Sequence, residues 1–282
     1  MTVREFLTNV AILSTVMAIA ALIEVAVPMF NRRSWPAGRR AANLGLTAVV
    51  FLLNWTLSSM TAILALAVSL QPPAFAKGLG WPMSLQIIAG MVILDFSAGY
   101  LAHRALHLFP ILWRFHRVHH SDEFVDVTTT YRTHPVETVW RFLFVIVPVW
   151  VIGIPALAVV IQRLVSATNG ILEHGNIRLW RPLDRVLSLV WVTPNVHKIH
   201  HSRELEETNS NYGNVLTIYD RIFRTFTPSD RVESVVYGLN DADPARVGSF
   251  RGLVSMPFQQ QVEPSLIQKS GTGRADIVNM PT

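Results

Sequence analysis

Four long apolar stretches, separated by short polar segments, dominate the first 165 residues. The first, residues 6–30, is interrupted only by Thr8, Asn9, Ser14, Thr15 and Glu24. At 1.5 Å per residue it is long enough to cross a hydrocarbon core of ~30 Å. Arg4 is offset by Glu5, and the apolar run continues ten residues past Ala18-Ile19-Ala20. An uncleaved anchor is therefore expected rather than a signal peptide. Residues 41–70 and 83–102 predict two further spans. The fourth stretch, residues 142–165, is broken near its middle by Gly153-Ile154-Pro155. Each limb holds about a dozen residues, or ~18 Å of helix, about half a membrane. The expected form is a re-entrant helical hairpin with its tip at Gly153 to Pro155. A single full span fits the length equally well. It would place His174 and the later histidines across the membrane from the earlier ones.

From Leu179 onward the pattern is mixed and polar, which predicts a cap with short interfacial helices. Residues 259–282 read as a loose tail. The expected architecture is an all-α integral membrane helical bundle: about three full spans, a re-entrant hairpin and a cytoplasmic, histidine-rich helical cap. The expected organisation is an N-terminal pair of anchor spans (1–82), a catalytic domain (83–240) and a C-terminal extension (241–282), loose beyond about 260. No internal repeat or low-complexity tract is present.

Composition agrees. Half of the residues are hydrophobic and only 15% are charged, too few polar groups for an ordinary soluble domain. The absence of cysteine excludes disulfides, iron–sulfur clusters and thiolate metal sites. The net charge of +5 comes mainly from Arg beside apolar spans. Lipid headgroups and topology explain it better than nucleic acid, for which no reader motif exists. The first loop carries Arg32, Arg33, Arg39 and Arg40 and the second only Lys77, which puts the first loop and the end of the third span in the cytoplasm. Trp35 and Trp81 stand at span ends, as interfacial aromatics do.

All ten histidines fall between His103 and His201. Eight form three groups: His103 and His107; His116, His119 and His120; His197, His200 and His201. Within each group the spacings of three and four put the imidazoles on one helical face. His134 and His174 stand singly between the second and third groups. Imidazole suits Zn, Cu, Fe and Ni, and ten exceed what one ion can use. Asp95, Phe96, Gly99 and Tyr100 share a side with His103 at 100° per residue. Asp95 is an acid inside an apolar segment, costly unless bonded. Its expected use is to accept a hydrogen bond from a ligand imidazole. The zinc-protease pattern is absent, and triplets at span ends do not suit haem. Ten imidazoles without clustered carboxylates suggest two irons with positions open to O2.

The chain resembles the fatty acid hydroxylase and sterol desaturase superfamily of membrane di-iron enzymes. The resemblance rests on three boxes in order, H-x3-H, H-x2-H-H and a later H-x2-H-H, and on their surroundings. Asp95 and Tyr100 precede the first box, and Leu112-Trp113-Arg114-Phe115 the second. Arg132-Thr133-His134-Pro135-Val136-Glu137 and Glu173-His174-Gly175-Asn176 follow, and Thr193-Pro194 precedes the third box. Asn211-Tyr212-Gly213 and Asp220-Arg221-Ile222-Phe223-Arg224-Thr225 close the match, with Tyr219 where the family has Trp.

The resemblance covers residues 85–240. It implies that the ten histidines ligate or flank two irons, that O2 is activated there, and that a lipid C–H bond is hydroxylated or desaturated. Asp95, Tyr100, Asn176 and Asn211 would support the ligands, as would Asn214 and Asp220 unless these serve only turns. Electrons would come from a separate ferredoxin-like or cytochrome b5-like chain, since no flavin or dinucleotide fingerprint is present. A bacterial inner membrane is the expected location. The competing readings are a zinc-dependent membrane hydrolase or lyase and a metal transporter, which would need ligands near mid-membrane.

Overall fold

A computed structural model describes residues 3–30, 38–70 and 80–259 of the protein. The tail beyond residue 260, Trp35 and most of the two polar loops lie outside the described residues. Among the described residues the protein is helical, with three isolated antiparallel bridges and no strand. Four segments are long and apolar enough to cross a membrane: Arg4–Ala26, Arg39–Val68, Met83–Leu108 and Pro135–Ile152.

The first two lie in α1 (Val3–Ala26) and α2 (Arg39–Leu70). The third is compound. It begins as α3 (Met83–Leu94), loosens into a π-helical segment (Asp95–Leu101) and ends as α4 (Ala102–Leu108). The π segment advances by a smaller angle than the 100° per residue assumed, yet Asp95, Gly99, Tyr100 and His103 are all buried. Such segments occur frequently at functional sites, and this one leads directly into the first histidine box.

The hairpin forms, with longer limbs than expected. They are α6 (Pro135–Ile152) and α7 (Ala156–His174); α5 is Pro110–His120. At 18 and 19 residues each limb is ~27 Å, well beyond the half-membrane expected. Gly153 closes α6 at φ 81°, a left-handed conformation that favours glycine, and Pro155 precedes α7. Ile154 and Ala158 at the tip press on Gly90, where an added Cβ would lie 2.7 Å and 3.0 Å from them. Gly90 is seven residues inside α3, so the tip stops about 10 Å short of where that span begins. Ala65, Leu94, Val149, Ile154, Ala158 and Val159 form the apolar cluster there. Both limbs have their outer ends at the histidines: Glu137 in the first turn of α6 bonds His116, and His174 ends α7 beside His119. That arrangement excludes the single-span alternative.

A buried ionic lattice joins α2 to the loop after α5. Arg39 bonds Asp122 and Asp126, both at 2.6 Å. Arg132, fully buried, donates to Asn43 Oδ1 (2.7 Å), Ser121 Oγ (2.8 Å) and the carbonyls of Val118 and Val247 (3.0 Å each). Val247, Leu253 and Met256 pack on Ala42, Leu46 and Val118. Residues on both sides of the expected 83–240 domain thus complete its packing.

Candidate metal centre

Nine of the ten histidines converge into two groups. One comprises His103, His107, His116, His120 and His200; the other comprises His119, His174, His197 and His201. Within each group the candidate ligand atoms all lie within 4.8 Å of one another. The spacing logic explains why. α5 delivers His116 and His120 to one group and His119 to the other. α9 (Pro194–His200), with its cap residue His201, likewise splits His200 from His197 and His201. Thr193 Oγ1 accepts from Val196 N–H, and Pro194 occupies the first turn, so α9 starts where the third box needs it.

The contact between His103 and His116 is not an ordinary hydrogen bond. His103 Nδ1 donates to the Tyr212 carbonyl (2.9 Å) and His116 Nδ1 to Glu137 Oε2 (2.9 Å). Both Nε2 atoms therefore carry lone pairs, yet they face each other at 3.0 Å. In the other group His174 alone has its tautomer fixed, and the buried Nδ1 atoms of His119, His197 and His201 have no partner. His174 Nδ1 donates to the Gly170 carbonyl, and its Nε2 lies 3.0 Å from the Nε2 of both His119 and His197. His107 Nε2 and His200 Nε2 are buried without any partner. Converging lone pairs repel unless a cation lies among them, so both groups fit metal ions. Ligand nitrogens about 2.1 Å from an ion stand ~3.0 Å apart at right angles and ~3.4 Å apart in a tetrahedron. The nearest ring nitrogens, 3.0–3.2 Å apart, are of that order. Burial pushes His119, His120, His197 and His201 well below the usual imidazole range and His200 down to about 3. The neutral form is the one that ligates.

The backbone and one acid orient the rings. His200 Nδ1 donates to the Ser210 carbonyl (2.7 Å). Asn211, between the two orienting carbonyls of Ser210 and Tyr212, sits at φ 53°. Its side chain holds the Val196 carbonyl and the backbone of Thr227. It reaches the imidazoles only through its neighbours. Asn176 also stands off the ligands, clamping Phe30 N–H and C=O at 3.0 Å and 2.9 Å. Tyr100 is buried with its hydroxyl 3.1 Å from Thr225 Oγ1 and its ring against Phe96, Phe223 and Tyr212. Asn214 bonds Ser166 and Glu173, and Asp220 holds the amides of Tyr212 and Gly213.

Two expectations need correction. His134 belongs to neither group. It caps α6, its Nδ1 accepting from Val136 N–H at 3.2 Å, and its ring lies 5.1 Å from Phe115 and 6.1 Å from Phe258. Proline at 135 makes a helix start there, and the start turns the imidazole away from both groups and in against Phe115 and Phe258. Asp95 does not reach a ligand imidazole either. It accepts from Gln162 Nε2 and Leu216 N–H, both at 3.2 Å, tying the third span to α7 and to the cap. Glu137 takes the role expected of it, bonding His116 while Arg141 pairs with its other oxygen at 2.9 Å. Its sequence signal was an acid in the first turn of an otherwise apolar helix. Glu137→Ala is expected to lower metal affinity about 10–100-fold, the usual effect of losing an orienting partner. Glu137→Gln, which can still accept from Nδ1, should lose less. Metal titration of the three proteins checks this.

Residues 87–225 match the fatty acid hydroxylase family model. The chain belongs to the fatty acid hydroxylase family. The matched residues thus include most of the third apolar segment, all ten histidines and the helices that follow, up to Thr225. The chain is 34% identical over 191 residues to an ornithine lipid hydroxylase of Rhizobium tropici, covering 67% of this chain and 55% of that protein. It is 32% identical over 157 residues to the human alkylglycerol monooxygenase, covering 52% of this chain and 33% of that one. The chain therefore spans about half of the first relative's length and about a third of the second's. No solved structure matches.

Proposed function

We propose that the protein is a membrane-bound non-haem di-iron oxygenase that hydroxylates a lipid C–H bond. The observation that carries this reading is the pair of convergent imidazole groups, nine rings from separate helices, inside a fatty acid hydroxylase domain. The metals would supply the oxidising power for R–H + O2 + 2e− + 2H+ → R–OH + H2O, in which one oxygen atom enters the lipid and the other leaves as water. The chain's own residues hold the ligands. Glu137 and the carbonyls of Tyr212, Gly170 and Ser210 keep Nδ1 protonated on four rings, so that Nε2 faces the ion. Burial of the rings keeps water from them.

Two electrons per turnover would come from a separate ferredoxin-like or cytochrome b5-like donor. The lipid would enter from the bilayer between the spans. The site would face the cytoplasm, in a bacterial inner membrane by our reading. The ornithine lipid hydroxylase and the alkylglycerol monooxygenase both favour hydroxylation over desaturation and a polar membrane lipid as substrate.

The test compares lipid extracts of cells with and without the protein by mass spectrometry. A lipid class that gains one oxygen supports the reading. Loss of two hydrogens would move it to desaturation. Cleaved lipids whose fragments together gain the elements of water, formed without O2, would replace it with a zinc hydrolase.

A further inference from the structure

We propose that Glu24, in the first span and outside the residues matched by the hydroxylase family model, is a positioning residue for the four-imidazole group. The inference rests on the two-metal reading above. A carboxylate near the end of an apolar span is costly unless its oxygens are bonded. Glu24 is only 1% exposed, and its Oε1 accepts two backbone N–H groups, from Asn176 at 2.7 Å and from Val127 at 2.8 Å.

Both donors adjoin ligands. Asn176 lies two residues after His174, and Val127 opens the turn in the loop that follows the second histidine box on α5. Gly175, between His174 and Asn176, gives its carbonyl to the ammonium of Lys198, which stands on α9 next to His197 and is fully buried. The end of α1 is then laced to the same segment. Met29 N–H bonds the Asn176 carbonyl at 3.1 Å, and Arg178 N–H bonds the Val27 carbonyl at 2.9 Å. One oxygen of Glu24 thus fixes the backbone beside His174 and the loop leaving α5, which carries His119. Through Gly175 it reaches the helix that carries His197 and leads into His201. These are the four ligands of one group. The five-imidazole group takes its orientation elsewhere, from Glu137, Ser210, Tyr212 and Asn209. α5 and α9 also serve the five-imidazole group, whereas His174 belongs to the four-imidazole group alone, so loss of Glu24 should loosen that group's ion more than the other.

The test uses the purified full-length protein, loaded with iron, and follows metal release to a chelator. Unfolding midpoints serve as a control for the fold. The unaltered protein releases two ions slowly. Glu24→Ala is expected to release one of them about 10–100-fold faster, and the second with a much smaller change. Glu24→Gln, whose amide oxygen can accept both N–H groups, restores slow release, which a role of net charge alone would not allow; Glu24→Met, of similar volume but without the acceptor oxygen, releases as fast as Ala, which a role of filling space alone would not allow. Glu24→Asp withdraws the carboxylate by one methylene and gives an intermediate rate, and it carries the test if the Ala variant does not fold. Unaltered release of both ions from the Ala variant, or from the Asp variant in its place, overturns the inference alone. So does a Gln variant as fast as Ala. An unaltered protein that binds no second ion overturns both this inference and the two-metal reading.

Discussion

Changing His119 to Ala is expected to remove one of the two metals and to lower product formation more than about 100-fold, beyond the cost of losing a merely supporting residue. His119 Nε2 lies 3.0 Å from His174 Nε2, and its ring is 4.6 Å from that of His201. Its loss leaves three imidazoles where four converge. His119 Nδ1 makes no hydrogen bond, so the helix should survive the change. His134→Ala is the matched control. That ring caps a helix and packs on two phenylalanines, so its loss should cost about 0.5–2 kcal/mol of stability and leave both metals in place. The two variants, assayed for iron and for hydroxylated lipid, separate a ligand histidine from one that merely shares the sequence neighbourhood. A His119→Ala protein with full activity contradicts the assignment; so does a His134→Ala protein that lacks one metal.

Changing Arg132 to Ala is expected to produce the largest loss of stability. Its guanidinium serves four acceptors, all in the buried junction of α2, α5 and residue 247. An unpaired buried acceptor costs about 1–3 kcal/mol, so even after partial relaxation the expected loss is about 3–5 kcal/mol. Arg132→Lys should recover only part of it, because an ammonium has three donors and no planar fork. Denaturant unfolding in detergent checks both variants. An unchanged midpoint for Arg132→Ala would show that the lattice adds nothing.

Much of this was legible in the chain. The i, i+3, i+4 spacing places three imidazoles on one face of α5, and Gly153-Ile154-Pro155 marks the hairpin turn. Spacing reports which side of a helix a residue occupies, but not what stands opposite. Thus one face of α5 serves two different metal groups, and His134, for all its proximity in sequence, joins neither. Asp95 and Glu137 are both acids in apolar helices; only the three-dimensional path of α6 decides which meets an imidazole. The π-helical segment has no marker in composition, and it rotates every residue placed by the regular helical angle. Glu24 looked like an interruption of a membrane anchor, because its partners lie more than 100 residues away.

The central claim is that nine imidazoles from separate helices form two metal sites. Elemental analysis of the purified, folded protein, joined to an O2-uptake assay with a reductant and lipid, tests it most directly. The account predicts two irons per chain and oxygen uptake that disappears when the iron is chelated and returns on reloading. One metal per chain, or full lipid turnover with two zinc ions and no iron, would contradict it.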